Sequence, residues 1–200
     1  MASPGPARIF ATGATATVAV LALIYLPVPT ETSPPRTTPS ASTADTAELT
    51  RLARSYLQQR ADMVTAARPT VAASGRLRTT PAMTARARSE LAALVKKGLR
   101  YEDIFIGYTR ARVDVEVTSA NVSGRTATLR LTDHTRLYFA LTPQRVEDGS
   151  PECEESSLPR TMTFARGADG AWLLASDRVD EAGGPLPTTE VDEAGFDAAA

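Results

Sequence analysis

Between Thr109 and Leu141 the chain alternates apolar and polar residues on both sides of a short turn: TRARVDVEVTSANVSGRTATLRLTDHTRLYFAL. In the first run Ala111, Val113, Val115 and Val117 share one parity, against Arg112, Asp114, Glu116 and Thr118. In the second run Ala127, Leu129, Leu131, Leu137, Phe139 and Leu141 oppose Thr126, Thr128, Arg130, His134 and Arg136. Successive side chains of a strand point to opposite faces. The pattern therefore predicts an antiparallel hairpin around Asn121-Val122-Ser123-Gly124, with one apolar and one charged face. Such a sheet must cover its apolar face, and the remaining segments indicate what covers it.

Two helices are predicted ahead of the hairpin. From Asp45 to Arg68, Leu49, Leu52, Tyr56, Leu57, Met63 and Val64 fall on one helical stripe. Asp45 with Glu48 has the spacing of a capping box, and Pro69 is expected to end the helix. Met63 shares the stripe with leucines and is read as core, not as a ligand. A polar loop, Thr70 to Thr79, leads to Thr80-Pro81, a cap followed by proline at the first helical position. Met83, Ala87, Leu91, Leu94 and Val95 form the second stripe, and Gly98 is its expected end. Arg86, Arg88, Lys96 and Lys97 are read as a solvated face. The stretch Leu99 to Tyr108 fits either the opening of a strand or a turn of helix.

After the hairpin, Thr142 to Pro159 reads as a loop rich in Glu147, Asp148, Glu152, Glu154 and Glu155. It lacks the DxDxDG spacing of a calcium loop, so it is expected to be solvated. A second hairpin follows, with Met162 and Phe164 on one strand, a turn at Gly167-Ala168-Asp169-Gly170, and a return through Trp172. The fold class is α+β: an N-terminal membrane helix, then two amphipathic helices packed on a curved antiparallel sheet of about four or more strands.

The division of the chain is read as residues 1–30 membrane anchor or signal segment, 31–44 Pro/Ser/Thr-rich linker, 45–180 α+β domain and 181–200 disordered acidic tail. The segment from Ile9 to Thr30 carries no charge and lies between Arg8 and Glu31. About 20 apolar residues cross a bilayer as a helix, so Ile9 to Leu26 makes the membrane the first expected partner. The basic residue before the segment orients the N-terminus to the cytoplasm and the domain outside. Val28 and Thr30 make a poor cleavage site, which favours a retained anchor over a secreted product.

Composition limits the chemistry. A net charge of −1 lacks the basic surplus of a general nucleic-acid binder. One cysteine, Cys153, and one histidine, His134, exclude an intramolecular disulfide and a zinc site built from several Cys and His of one chain. The sequence contains no GxGxxG, GxxxxGK[ST] or HExxH pattern, and no cofactor is expected. His134 falls on the charged parity beside Arg136, opposite Asp114. Cys153 stands among carboxylates that disfavour a thiolate. Asp133 alone places an acid on the apolar parity; it is expected near a sheet edge or in a bulge at Thr132-Asp133, reaching water or an arginine.

The helix pair, charged-outward hairpin and closing G-x-D-G-x-W-L hairpin resemble the nuclear transport factor 2-like fold, a curved sheet wrapped around helices. More narrowly, SYLQQRADMVT, the run from Thr109 to Phe139, and FARGADGAWLLASD resemble the region that precedes the catalytic domain of actinobacterial secreted putative amidases. The resemblance covers roughly Asp45 to Asp180. It implies a sheet enclosing a pocket, which ketosteroid isomerases and polyketide cyclases of this fold class use with a buried Asp or His as base. Asp133 and Tyr108 are the corresponding pocket candidates here. The amidases carry their cysteine in a D-C-x-x-F motif; Cys153 lies in PECEESS, and no catalytic residue carries over. The expected function is a membrane-tethered, extracytoplasmic, noncatalytic module binding a protein or cell-envelope component. The alternative is a small-molecule or isomerase-like pocket protein with Asp133 as base.

Overall fold

A computed structural model describes residues 41–69, 77–104, 106–180 and 188–191. The expected membrane segment, Ile9 to Leu26, and nearly all of the expected linker lie outside the described residues. Among the described residues no helix is long and apolar enough to cross a membrane.

Helix α1, Thr43–Asp62, begins one turn earlier than the capping pattern suggested. Ser42 is the cap: its hydroxyl accepts from the Asp45 amide (3.1 Å) and donates to the Asp45 carboxylate (2.8 Å). Asp45 is thus the third residue of the cap and not its first, and Glu48 is not part of it. The helix buries Leu49, Leu52, Ala53, Tyr56, Leu57, Arg60 and Ala61, one stripe at three- and four-residue spacing. It ends at Asp62, well before Pro69. Met63 and Val64 turn inward and are fully buried, and the Ala66 amide bonds the Tyr108 carbonyl (2.8 Å) in place of a helical partner.

Helix α2, Pro81–Ile104, starts as expected, with the Thr80 hydroxyl accepting from the Met83 amide (3.3 Å). It does not stop at Gly98. That glycine is needed for proximity: a Cβ there would sit 2.8 Å from the Val64 Cα. The residue that redirects the chain into the sheet is Gly107, at φ 67°.

The sheet is an antiparallel meander of β1 (Tyr108–Ser123), β2 (Thr126–Phe139), β3 (Cys153–Arg166) and β4 (Trp172–Val179), in that spatial order. The first turn is tighter than the four residues proposed, since the strands run to Ser123 and from Thr126, leaving Gly124-Arg125 with Gly124 at φ 59°. A register shift between Val117 and Ser119 returns Ala120 and Val122 to the apolar face, opposite Leu129 and Ala127. The acidic segment is not all loop. Thr142 caps a short helix, α3 (Pro143–Glu147), and Cys153 to Pro159 is the first half of β3. The outer half of β2 needs a partner, and the acids supply charge to it: Arg136 faces Glu155, bonded at 2.8 Å, and Leu137 faces Glu154.

Both helices lie on the apolar face, α1 chiefly against β1 and α2 against β4 and β1. The edges of the sheet are engaged from the helical layer. The Gln58 amide of α1 donates to the Ala111 carbonyl (3.1 Å) and accepts from the Val113 amide (2.9 Å) on edge strand β1. On the other edge, the Leu174 carbonyl accepts from the Thr80 amide (2.9 Å) and the Leu174 amide donates to the Arg78 carbonyl (2.8 Å). Asp45 ties the start of α1 to the second hairpin, accepting from Trp172 Nε1 (2.9 Å) and Arg166 (2.7 Å). Trp172 itself is fully buried.

Two stability measurements follow from this packing. Trp172→Ala is expected to cost about 3–5 kcal/mol in chemical denaturation. Gly98→Ala must push α2 off the Val64 backbone and is expected to cost about 1–3 kcal/mol, although alanine is the better helix former; a neutral result would place the helices further apart.

Candidate functional site

The apolar row of β2 is interrupted twice, at Asp133 and Thr135, both buried. β2 is an inner strand and its pairing runs without a break through Thr132-Asp133. Asp133 is therefore neither at an edge nor in a bulge, and it points to the helical layer. Burying a carboxylate there requires a counter-charge. The neighbouring strand provides it: Arg160, on the parity of Met162 and Phe164, is 2% exposed and donates from Nε to Asp133 Oδ2 (3.1 Å). The other Asp133 oxygen accepts from the Thr135 hydroxyl (2.7 Å).

Arg160 is the hub of a larger cluster. It also donates to Asp177 (3.0 Å) and to Glu190. Asp177 reaches this face because a register shift after Leu174 resets the parity of β4. Glu190 comes from the segment 188–191, where Thr189 and Glu190 are buried. For these residues the expectation of a disordered tail is corrected. The second Glu190 oxygen lies 3.7 Å from Arg60, which projects from α1 one turn beyond Tyr56. Arg60 bonds the Glu90 carboxylate of α2, the Tyr56 hydroxyl (3.2 Å) and the Thr189 carbonyl (3.0 Å). Tyr56 donates to Glu90 (2.8 Å), and Arg86 completes Glu90 from the surface (2.8 Å).

Arg60, Arg86 and Arg160 bond the carboxylates of Glu90, Asp133, Asp177 and Glu190, and Lys97 donates to the Glu190 carbonyl (2.9 Å). Burial pushes Glu90 up, but Arg60, Arg86 and the Tyr56 hydroxyl outweigh it and hold the carboxyl below its usual range. Burial, above all, pushes the Tyr56 phenol up. The Arg160 guanidinium occupies the centre that three carboxylates would otherwise offer to a cation. Among the described residues no group of His, Cys, Asp and Glu is placed to hold a metal ion.

Tyr108 and Asp133 stand apart along the sheet. Tyr108 faces Phe139, six residues beyond Asp133 along β2, or about 20 Å of strand. It stacks on Phe139 (5.3 Å between centroids), meets Tyr101 edge-on (6.1 Å) and donates to Glu154. Burial, and then Glu154, push its phenol up. His134 lies on the outer face opposite Asp114, 2.8 Å from the Ser157 hydroxyl and 3.6 Å from Glu116. Burial, and then Glu155, raise the Cys153 thiol, now on a strand and not in a loop. A cleft of about 100 Å³, lined by Leu52, Ser55, Tyr56 and Leu77 among others, opens beside Tyr56; Asp133 is not in its wall.

Arg60, Glu90, Arg160 and Asp177 were missed from sequence, although three of them carried a signal. Arg60 continues the stripe of Leu52, Tyr56 and Leu57, Glu90 adjoins Leu91 on the Ala87 stripe, and Arg160 shares the parity of Met162. A charge at a core position is a candidate for a buried pair. Glu190 carried no such signal.

No protein-family model matches the chain, and no curated protein matches it. Among solved structures, the intermembrane space region of chloroplast protein ARC6 is 14% identical, over 70% of this chain and 97% of that one, with a TM-score of 0.44. An Ntf2-like protein involved in plasmid conjugation is 9% identical, over 68% of this chain and 51% of that one, with a TM-score of 0.28.

Removing one partner of a buried ion pair costs about 3–5 kcal/mol. Arg160→Met strands three carboxylates and is expected to fall in or above that range. Asp133→Asn leaves Arg160 with two partners and should cost less; denaturant titration of both variants checks the order. Glu90 is held lower in the folded chain than its ordinary 4.5. Its contribution is therefore complete above that value and lost as pH falls through the folded-state value. The decline in melting temperature on acidification from about pH 5 to about pH 3 should be shallower in Glu90→Gln than in the parent.

Proposed function

We propose that this α+β domain is a noncatalytic binding module of nuclear transport factor 2-like architecture, held outside the membrane by Ile9 to Leu26, with a protein or cell-envelope component as its partner. The observation that carries this reading is the ion-pair network that Arg160 builds between helices and sheet among the described residues, where an enzyme of such architecture keeps an apolar pocket. A general base needs a carboxylate facing a substrate, whereas both Asp133 oxygens are bonded to Arg160 and Thr135. The cleft beside Tyr56 is well below the roughly 300 Å³ at which ligand pockets begin. The resemblance to regions adjoining secreted amidase domains favours the cell envelope as the place of action.

Alkaline carbonate extraction of expressing cells, with protease added to intact spheroplasts, tests the tether. The full-length chain should stay in the membrane pellet and its domain should be digested from outside. A soluble product beginning near Glu31 would overturn the anchor. A pull-down from envelope fractions with the tethered domain as bait should recover a saturable partner.

A further inference from the structure

Three separate elements converge on four residues near the end of the chain. Arg60 of α1 donates to the Thr189 carbonyl (3.0 Å). Lys97 of α2 donates to the Glu190 carbonyl (2.9 Å). Arg160 of β3 grips one oxygen of the Glu190 carboxylate, and Arg60 lies 3.7 Å from the other. Val191 then packs against the core. Two main-chain carbonyls, one carboxylate and one apolar side chain are the contacts by which proteins read an extended peptide.

We infer that this seat is a recognition site for an extended acidic peptide of a partner, with a glutamate as its anchor, and that Thr188–Val191 is an intramolecular occupant that the partner peptide displaces. The inference rests on the binding-module reading and names the chemistry of the partner. Charge supports the anchor: the Glu190 carboxylate is held between the Arg160 and Arg60 guanidinium groups, so an incoming carboxylate would meet two cations. The fit of the resident segment is incomplete: Arg60 Nε and Asp177 Oδ1 are buried with no hydrogen-bond partner among the described residues. A better-matched peptide has groups left to satisfy.

The probe is the hexapeptide PTTEVD, the chain's own sequence from Pro187 to Asp192, labelled and titrated against the full-length protein in detergent. A tethered occupant competes at an effective concentration in the millimolar range. The parent chain should therefore bind the probe at least about tenfold more weakly than Glu190→Ala does. A PTTQVD probe should not bind the variant. Equal binding of both probes, or no binding to a variant whose Trp172 fluorescence matches the parent, overturns the inference. An unmodified chain covers the case of an unfolded variant: excess PTTEVD should move the Thr189 and Glu190 amide resonances to free-peptide positions, and their failure to move marks Glu190 as a fixed core ion. A parent dimer that dissociates in Glu190→Ala would make a second copy the donor of the segment, which also overturns it. Failure here with retention in the carbonate pellet leaves the tether standing; the converse leaves the peptide site standing.

Discussion

A guanidinium that cannot reach water has to be surrounded by anions, and the interior of this domain is arranged around that demand. Arg160 takes one carboxylate from each of β2, β4 and the 188–191 segment. None of these could be apolar without leaving part of a buried charge uncompensated, and none could be charged without Arg160. Such clusters are weak sources of net stability, because desolvation opposes attraction. Their effect is to select one arrangement: β4 must carry its register shift to bring Asp177 inward, and Glu190 must return to the helix–sheet interface. Arg60 and Glu90 make the matching demand on the helices, joining α1 to α2 through one ion pair.

The local parts of this architecture were legible in sequence because local rules govern them. Alternation fixed which face of β2 is apolar, and both helical stripes reappear as buried faces. Boundaries were less legible where a tertiary contact overrode a local signal. Gly98 reads as a helix end but is a point of close approach to Val64. Pro69 reads as a terminator, but the helix has already ended so that Met63 and Val64 can enter the core. The acids around Glu154 read as a solvated loop because a sequence does not display the strand across from them. Asp133 was recognised as the one acid out of place, yet its partner lies 27 residues away and the rest of its cluster on other elements.

The two faces of the sheet handle charge in different ways. Outside, Arg112 with Asp114 and Arg136 with Glu155 form exposed pairs along neighbouring strands, each worth at most about 1 kcal/mol. Inside, the same residue types are few, desolvated and interlocked. Substitution of the outer ladder is expected to alter surface potential with little effect on folding, whereas the inner cluster couples the helical layer, the sheet and the returning segment.

The engagement of both sheet edges has a consequence for how this domain can meet others. An open edge strand invites another chain to add to the sheet. Here Gln58 uses its amide as a surrogate strand on β1, and the Arg78–Thr80 segment lies along β4. These contacts blunt lateral growth at the stretches they cover, beside the charged side chains of β1 and the short length of β4. At these positions an encounter has to be decided by side chains, because the main-chain groups of Ala111, Val113 and Leu174 are already bonded.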